Sequence, residues 1–236
     1  MKTKLSAAML AATSTLVCTL ASAHVSTSAG SPAPANASQE ITLQIAHGCA
    51  IDGVTTTADT ISLKVDIPAG VTNVRAVSSA DFPTITLDKD GAGNVTAITW
   101  AKTSAGLDAD TNFYKLTFRA KMPAAPFTKI YFKSHQKCKA PGKDTEWTGV
   151  PNDGSGNEPA AEVIVLPAKV PGWNKFTVPV AIAAADMKSY FADARIVWKG
   201  TSAFSANPVT ADQIAKEPGV TALAALAPND EIFVKY

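Results

Sequence analysis

The sequence predicts a mainly β protein: an antiparallel β-sandwich followed by a smaller mixed α/β extension. Three observations lead there. Short alternations of apolar and polar residues, rich in Val, Ile and Thr, recur from Ile41 to Leu166. Turn-forming clusters separate them, at Pro68-Ala69-Gly70, Asp90-Gly91-Ala92-Gly93 and Asn152-Asp153-Gly154-Ser155-Gly156. No long helical periodicity intervenes. Period-2 alternation marks strands with one buried face. A set of such strands without long helices closes a core most simply by packing sheet on sheet.

In chain order, the predicted strands are Ile41–Ile45, Ile61–Ile67, Thr84–Leu87, Val95–Trp100, Tyr114–Phe118, Lys129–Lys133 and Ala161–Leu166. After Pro167 the texture changes. Phe176–Ile182 reads as a strand, Ala185–Ala194 as a short helix with Asp186 near its start, and Arg195–Lys199 as a strand. Thr210–Lys216 reads as a helix capped by Thr210, with Gln213 three residues on. Glu231–Tyr236 reads as a terminal strand. The predicted organisation is residues 1–23 as a signal peptide, 24–167 as the sandwich and 168–236 as an extension or small second unit.

The signal assignment rests on Lys2 and Lys4, an uncharged apolar run from Ala7 to Leu20, and the small residues Ala21-Ser22-Ala23. The run is too short and small-sided to span a bilayer stably. Cys18 does not sit in a lipoprotein box, so soluble export to the periplasm is expected, with no transmembrane segment after processing. Cleavage after Ala23 makes His24 the first residue; alternative small-residue sites after Ala29 or Ala35 would remove it. Processing takes the formal charge from +1 to −1, which gives no reason to invoke nucleic acid or an acidic membrane surface.

Two cysteines, Cys49 and Cys138, remain after processing. In an oxidising compartment such a pair points to a disulfide, the rival being two thiolate metal ligands. The sequence holds three histidines: His24, His47 in His47-Gly48-Cys49, and His135 in His135-Gln136-Lys137-Cys138. An exposed N-terminal histidine carries an α-amine and an imidazole Nδ1 on one residue, and together they can chelate one ion. Two nitrogen donors of borderline softness suit Cu2+ best among the divalent ions. The competing reading makes His24 a bystander on a frayed terminus. His47 and His135, beside the cysteines, read as structural residues more readily than as ligands. Trp147, in the polar loop Asp144–Gly149, reads as a packing residue or a partly exposed lid. No Ser-His-Asp set, phosphate-cradling glycine loop or His-Glu-x-x-His helix is legible.

Five segments carry a resemblance in order: Ala23-His24-Val25, Ala46-His47-Gly48-Cys49, Ile67-Pro68-Ala69-Gly70-Val71, Tyr131-Phe132 running into Gln136-Lys137-Cys138, and Glu146-Trp147-Thr148-Gly149. Over roughly residues 24–167 the chain resembles the YcnI-like family of exported copper-binding proteins, in its proteobacterial His-Gly-Cys form. The resemblance implies a fibronectin- or immunoglobulin-like sandwich that binds Cu2+ through its N-terminal histidine, with a tryptophan, here Trp147, close to the metal. Members related to the founding protein place a carboxylate ligand where this chain has His47. Either His47 takes over as a third nitrogen ligand or the third ligand is unassigned.

The leading expectation is a periplasmic copper-binding protein, a chaperone or buffer and not an enzyme, whose partners are the copper ion and other periplasmic or membrane copper-handling proteins. A copper-dependent lytic monooxygenase would also begin at a processed histidine, but the sequence shows no evident aromatic platform for a polysaccharide. The third reading is a disulfide-stapled structural or adhesion sandwich.

Overall fold

The structure, a computed structural model, describes residues 24–151, 154 and 158–236. The predicted signal peptide and most of the predicted turn at 152–156 lie outside the described residues.

Each strand predicted before Pro167 is present, four of the seven lengthened by one to three residues. The eight-residue strand Ser38–Ile45 pairs antiparallel along its whole length with Tyr114–Lys121, from Tyr114 opposite Ile45 to Lys121 opposite Ser38. Ser26–Ala29 adds to one side and Thr72–Ala76 to the other, giving a four-stranded sheet. A six-stranded sheet runs in the order Glu158–Pro159, Thr145–Gly149, Ser134–Cys138, Thr60–Asp66, Val95–Ala101, Thr84–Lys89. A three-stranded sheet joins Thr128–Phe132, Ala161–Leu166 and Ala33–Pro34.

The alternation in the sequence is the alternation of the pleat. Ile41, Leu43 and Ile45 are at most 1% exposed, while Thr42 and Gln44 between them are half-buried. Leu63 and Val65 from the six-stranded sheet, Leu116 and Phe118 from the four-stranded one, and Phe132 and Val163 from the third meet in one core. Phe118 stands edge-on to Phe132, with centroids 5.2 Å apart. Burying each such side chain contributes roughly 1.5–3 kcal/mol. The fold is therefore an antiparallel β-sandwich, as the patterning predicts.

A buried charge pair sits at one end of this core. Lys102 Nζ lies 2.6 Å from Asp59 Oδ2, their side chains only 7% and 0% exposed. The Tyr114 hydroxyl donates to Asp59 Oδ1 at 2.7 Å and accepts from Lys102 at 2.6 Å. Leu107 N–H satisfies the remaining carboxylate valence. Buried charges persist when paired and hydrogen-bonded in this way.

The second core gathers Val178, Ile182, Met187, Tyr190, Phe191, Val197, Ile232 and Val234 with Phe127, Ile164 and Leu166. The strand Ala161–Leu166 thus serves both cores, Val163 facing one and Ile164 the other. Phe127, at φ 61, is a non-glycine residue in the left-handed region, and its ring is buried against Phe176, Tyr190 and Phe191. Lys129 ties the two parts on the outside, 2.8 Å from Asp186 and 3.3 Å from Glu162.

Several C-terminal expectations shift. The strand predicted at 176–182 is Trp173–Thr177, because its partner is Glu231–Lys235 and the register starts at Trp173 opposite Lys235. The helix at 185–194 shrinks to Met187–Tyr190. The last helix is Pro208–Lys216, capped not by Thr210 but by Asn207, whose side chain accepts from Val209 and Thr210 N–H. Asn207-Pro208 is a cap followed by an N1 proline, which places the cap three residues before Thr210. Trp198 pairs with Phe233 and Trp173 with Lys235. Trp173, Trp198 and Phe233 therefore share one sheet face, an aromatic row that only the register reveals. Among the described residues no helix is long and apolar enough to cross a membrane.

Candidate metal centre

Trp147 is the residue around which the predicted site assembles. It lies on the strand Thr145–Gly149, not in a loop, with Ser134 opposite on one side and Glu158 on the other. The expected polar loop becomes a strand because Ser134–Cys138, which the alternation did not reveal, supplies a partner. Trp147 is 4% exposed, so the indole N–H needs an acceptor. It donates to Gln136 Oε1 at 2.8 Å. A tryptophan can only donate, which fixes the glutamine amide with its nitrogen on the far side. That nitrogen donates to Thr60 Oγ1 at 2.7 Å and to the His47 carbonyl at 3.0 Å. Gln136 is 1% exposed, and this one amide locks the indole and the His47 backbone together. Sequence reasoning missed it; a glutamine inside a strand carries no distinguishing signal.

Both predicted histidines meet that indole. The His24 ring stands edge-on to Trp147 with centroids 5.5 Å apart, and the His47 ring does the same at 6.4 Å. The His47 Nδ1 turns onto the carbonyl of its own neighbour, Gly48. Gly48 permits the sharp passage of the chain here, since a Cβ on it would lie 1.7 Å from the Ala58 carbonyl oxygen. Its N–H and the Thr57 hydroxyl both donate to Asp110 Oδ2, while Asp110 Oδ1 is buried without a hydrogen-bond partner. The next residue, Cys49, is bonded to Cys138, a link across 89 residues. The disulfide is thus present, and thiolate ligation by the pair is overturned because both sulfurs are consumed.

His24 differs from His47. Its side chain is 32% exposed, yet its Nδ1 is buried and makes no hydrogen bond among the described residues. The nearest anionic group is Glu158 Oε2, at 3.5 Å, within ion-pair range but not in hydrogen-bond geometry. Glu158 was not singled out in the sequence. It follows a run read as a turn, and only its parallel pairing beside Trp147 carries it to the site. An unpaired buried imidazole nitrogen facing a carboxylate is a donor set that a divalent first-row ion fits. Among the described residues no three His, Cys, Asp or Glu side chains gather around one point. A further donor must therefore come from elsewhere, and the His24 main-chain nitrogen becomes one only if cleavage after Ala23 frees it as an amine.

The third histidine is satisfied. His135 Nε2 lies 3.1 Å from Asp66 Oδ2, and its Nδ1 contacts Glu146 Oε2. Burial opposes its charge, but the hydrogen bonds and charges of Asp66 and Glu146 outweigh burial and raise its pKa above the usual value.

A β-sandwich with an imidazole, a carboxylate and an indole at one end defines the class. Residues 24–166 match the model of the family described as a domain of unknown function, DUF1775, and the chain belongs to that family. This is the domain of the YcnI-like proteins. No protein of curated function matches the chain in sequence. Among solved structures, an uncharacterised Nocardia farcinica protein with an immunoglobulin-like fold is similar at 19% identity and TM-score 0.49, over 61% of this chain and 99% of that one. A cohesin module of a Clostridium perfringens family 33 glycoside hydrolase is similar at 11% identity and TM-score 0.36, over 61% and 97%. A putative membrane-anchored protein of Corynebacterium diphtheriae follows at 12% and 0.35, over 62% and 35%.

Proposed function

We propose that the protein is a periplasmic Cu2+-binding protein, a chaperone or buffer in copper handling, that binds the ion through a processed N-terminal His24. One observation carries the reading: the His24 Nδ1 is buried against Trp147 and Glu158 with no hydrogen bond of its own. Leaving a buried imidazole nitrogen unpaired costs about 1–3 kcal/mol, a penalty that a bound ion removes. Cleavage after Ala23 would add the α-amine on the same residue, so two donors arrive without ordering a second chain segment. Function is then binding and transfer, with no catalytic step assigned. Copper titration of a chain starting at His24, beside one carrying a single extra N-terminal residue, tests this. The extra residue converts the amine into an amide and should weaken binding at least about tenfold, on the scale of losses seen when the surroundings of a metal are disturbed. Equal affinity would remove the chelate and with it the reading.

A further inference from the structure

The ligand set implied by the N-terminal histidine has an open position, and His47 is the residue that the sequence offers for it. The geometry points to Glu158: we infer that its carboxylate, and not the His47 imidazole, is the third ligand of the His24 metal site. The inference rests on the copper-binding reading above.

The distance is the first ground. A first-row divalent ion sits about 2.0–2.2 Å from nitrogen and oxygen ligands, so two ligands at roughly 90–120° around it lie about 2.8–3.8 Å apart. His24 Nδ1 and Glu158 Oε2 are 3.5 Å apart. That separation is long for a hydrogen bond and suits two ligands of one ion. The Nδ1 accordingly has no hydrogen bond to give up when metal enters.

The second ground is placement. Glu158 pairs in parallel with Trp147 across the sheet. Trp147 is pinned through Gln136, so the backbone that carries Glu158 is registered against the same residue that supports the His24 ring. The Glu158 side chain is 55% exposed, leaving the carboxylate free to close onto an ion and to release it.

The third ground is how His47 is held. Its Nδ1 engages the Gly48 carbonyl, which leaves only Nε2 to meet an ion, and its own carbonyl is fixed by Gln136. Its ring lies farther from the indole than that of His24. The passage at Gly48, hemmed in by Ala58, and the Cys49–Cys138 bond just beyond restrict the backbone that would have to move. A nitrogen–carboxylate set also changes the selectivity expected. Two nitrogens and one oxygen form a harder, more anionic site than three nitrogens, favouring Cu2+ over Cu+.

The experiment uses the mature chain beginning at His24, with Cu2+ as the probe, titrated by competition against a chromophoric chelator and examined by electron paramagnetic resonance. Glu158→Gln keeps the shape and removes the anionic donor. It should lower affinity at least about tenfold and alter the resonance toward a more nitrogen-rich or water-filled sphere. His47→Ala should stay within about threefold of the parent, with its spectrum unchanged. Parent-like affinity in Glu158→Gln, or a loss confined to His47→Ala, overturns the assignment while leaving copper binding in place. A parent chain that binds no Cu2+ overturns both the assignment and the reading it rests on.

Discussion

His24 and His135 occupy neighbouring regions of the same sheet system and illustrate opposite uses of an imidazole. His135 stands on the face of the six-stranded sheet with a carboxylate at each ring nitrogen, Asp66 from one neighbouring strand and Glu146 from the other. His24 lies at the sheet's end against Trp147, with one carboxylate at 3.5 Å and a buried Nδ1 that nothing satisfies. Surface exposure does not separate them, since both side chains are 32% exposed. The hydrogen-bond inventory does. A fully paired histidine is a cross-strand tie; an unpaired one keeps a donor nitrogen uncommitted.

Three changes break or sharpen this contrast, in order of expected effect. The largest removes the staple common to both regions, since Cys49 follows His47 and Cys138 ends the strand that carries His135. Replacing Cys49 and Cys138 together with alanine should cost about 2–5 kcal/mol, the range expected for loss of a native disulfide. Denaturant unfolding measures it. If Cu2+ affinity survives in the folded variant, the His24 corner is held by Gln136 and not by the staple.

The next acts on the corner alone. Gln136→Leu leaves the Trp147 indole N–H and the Thr60 hydroxyl without their partner, at a cost of about 1–3 kcal/mol. Tryptophan fluorescence should shift as the indole loses its fixed acceptor, and Cu2+ affinity should fall with it. A stable variant with unchanged emission and affinity would mean that Trp147 is positioned by packing only.

The smallest belongs to the face. His135→Ala should leave Cu2+ affinity unchanged and cost no more than about 1 kcal/mol, since its carboxylate partners are solvent-accessible. The cost should depend on pH. Because the folded-state pKa is raised, the stabilisation is complete below the unfolded value of about 6.5 and disappears as pH rises through the folded value. Unfolding curves of parent and variant should therefore separate at pH 5 and converge in mildly alkaline buffer. Copper binding that depended on His135 would erase the distinction between the two regions.

Much of the sandwich was legible because period-2 burial writes itself into residue type. Ile41, Leu43 and Ile45 announce a strand wherever they are placed. Ser134–Cys138 and Thr145–Gly149 are less legible because they are polar strands whose stability comes from neighbours, with buried Gln136 satisfied across the sheet by Trp147 and Thr60. The Asn207 cap escaped because Thr210 offered an equally good local pattern, and the choice between them is made by where the chain arrives from Phe204.

The candidate site divides in the same way. Residue chemistry alone nominated His24, His47, Trp147 and the cysteine pair, since imidazoles, indoles and thiols are scarce here and carry their properties with them. Which of them meet was decided by tertiary pairing. The indole is held by an amide eleven residues before it, and the carboxylate facing His24 arrives on a parallel strand 134 positions along the chain. The sequence by itself determined a two-faced β chain with two bondable cysteines and three histidines, two of them beside those cysteines. The tertiary structure alone decided that Trp147 lies beneath that histidine, that Glu158 faces it, and that His135 is spoken for. A donor's chemistry is local to its residue, whereas its satisfaction depends on what the fold brings within 3 or 4 Å.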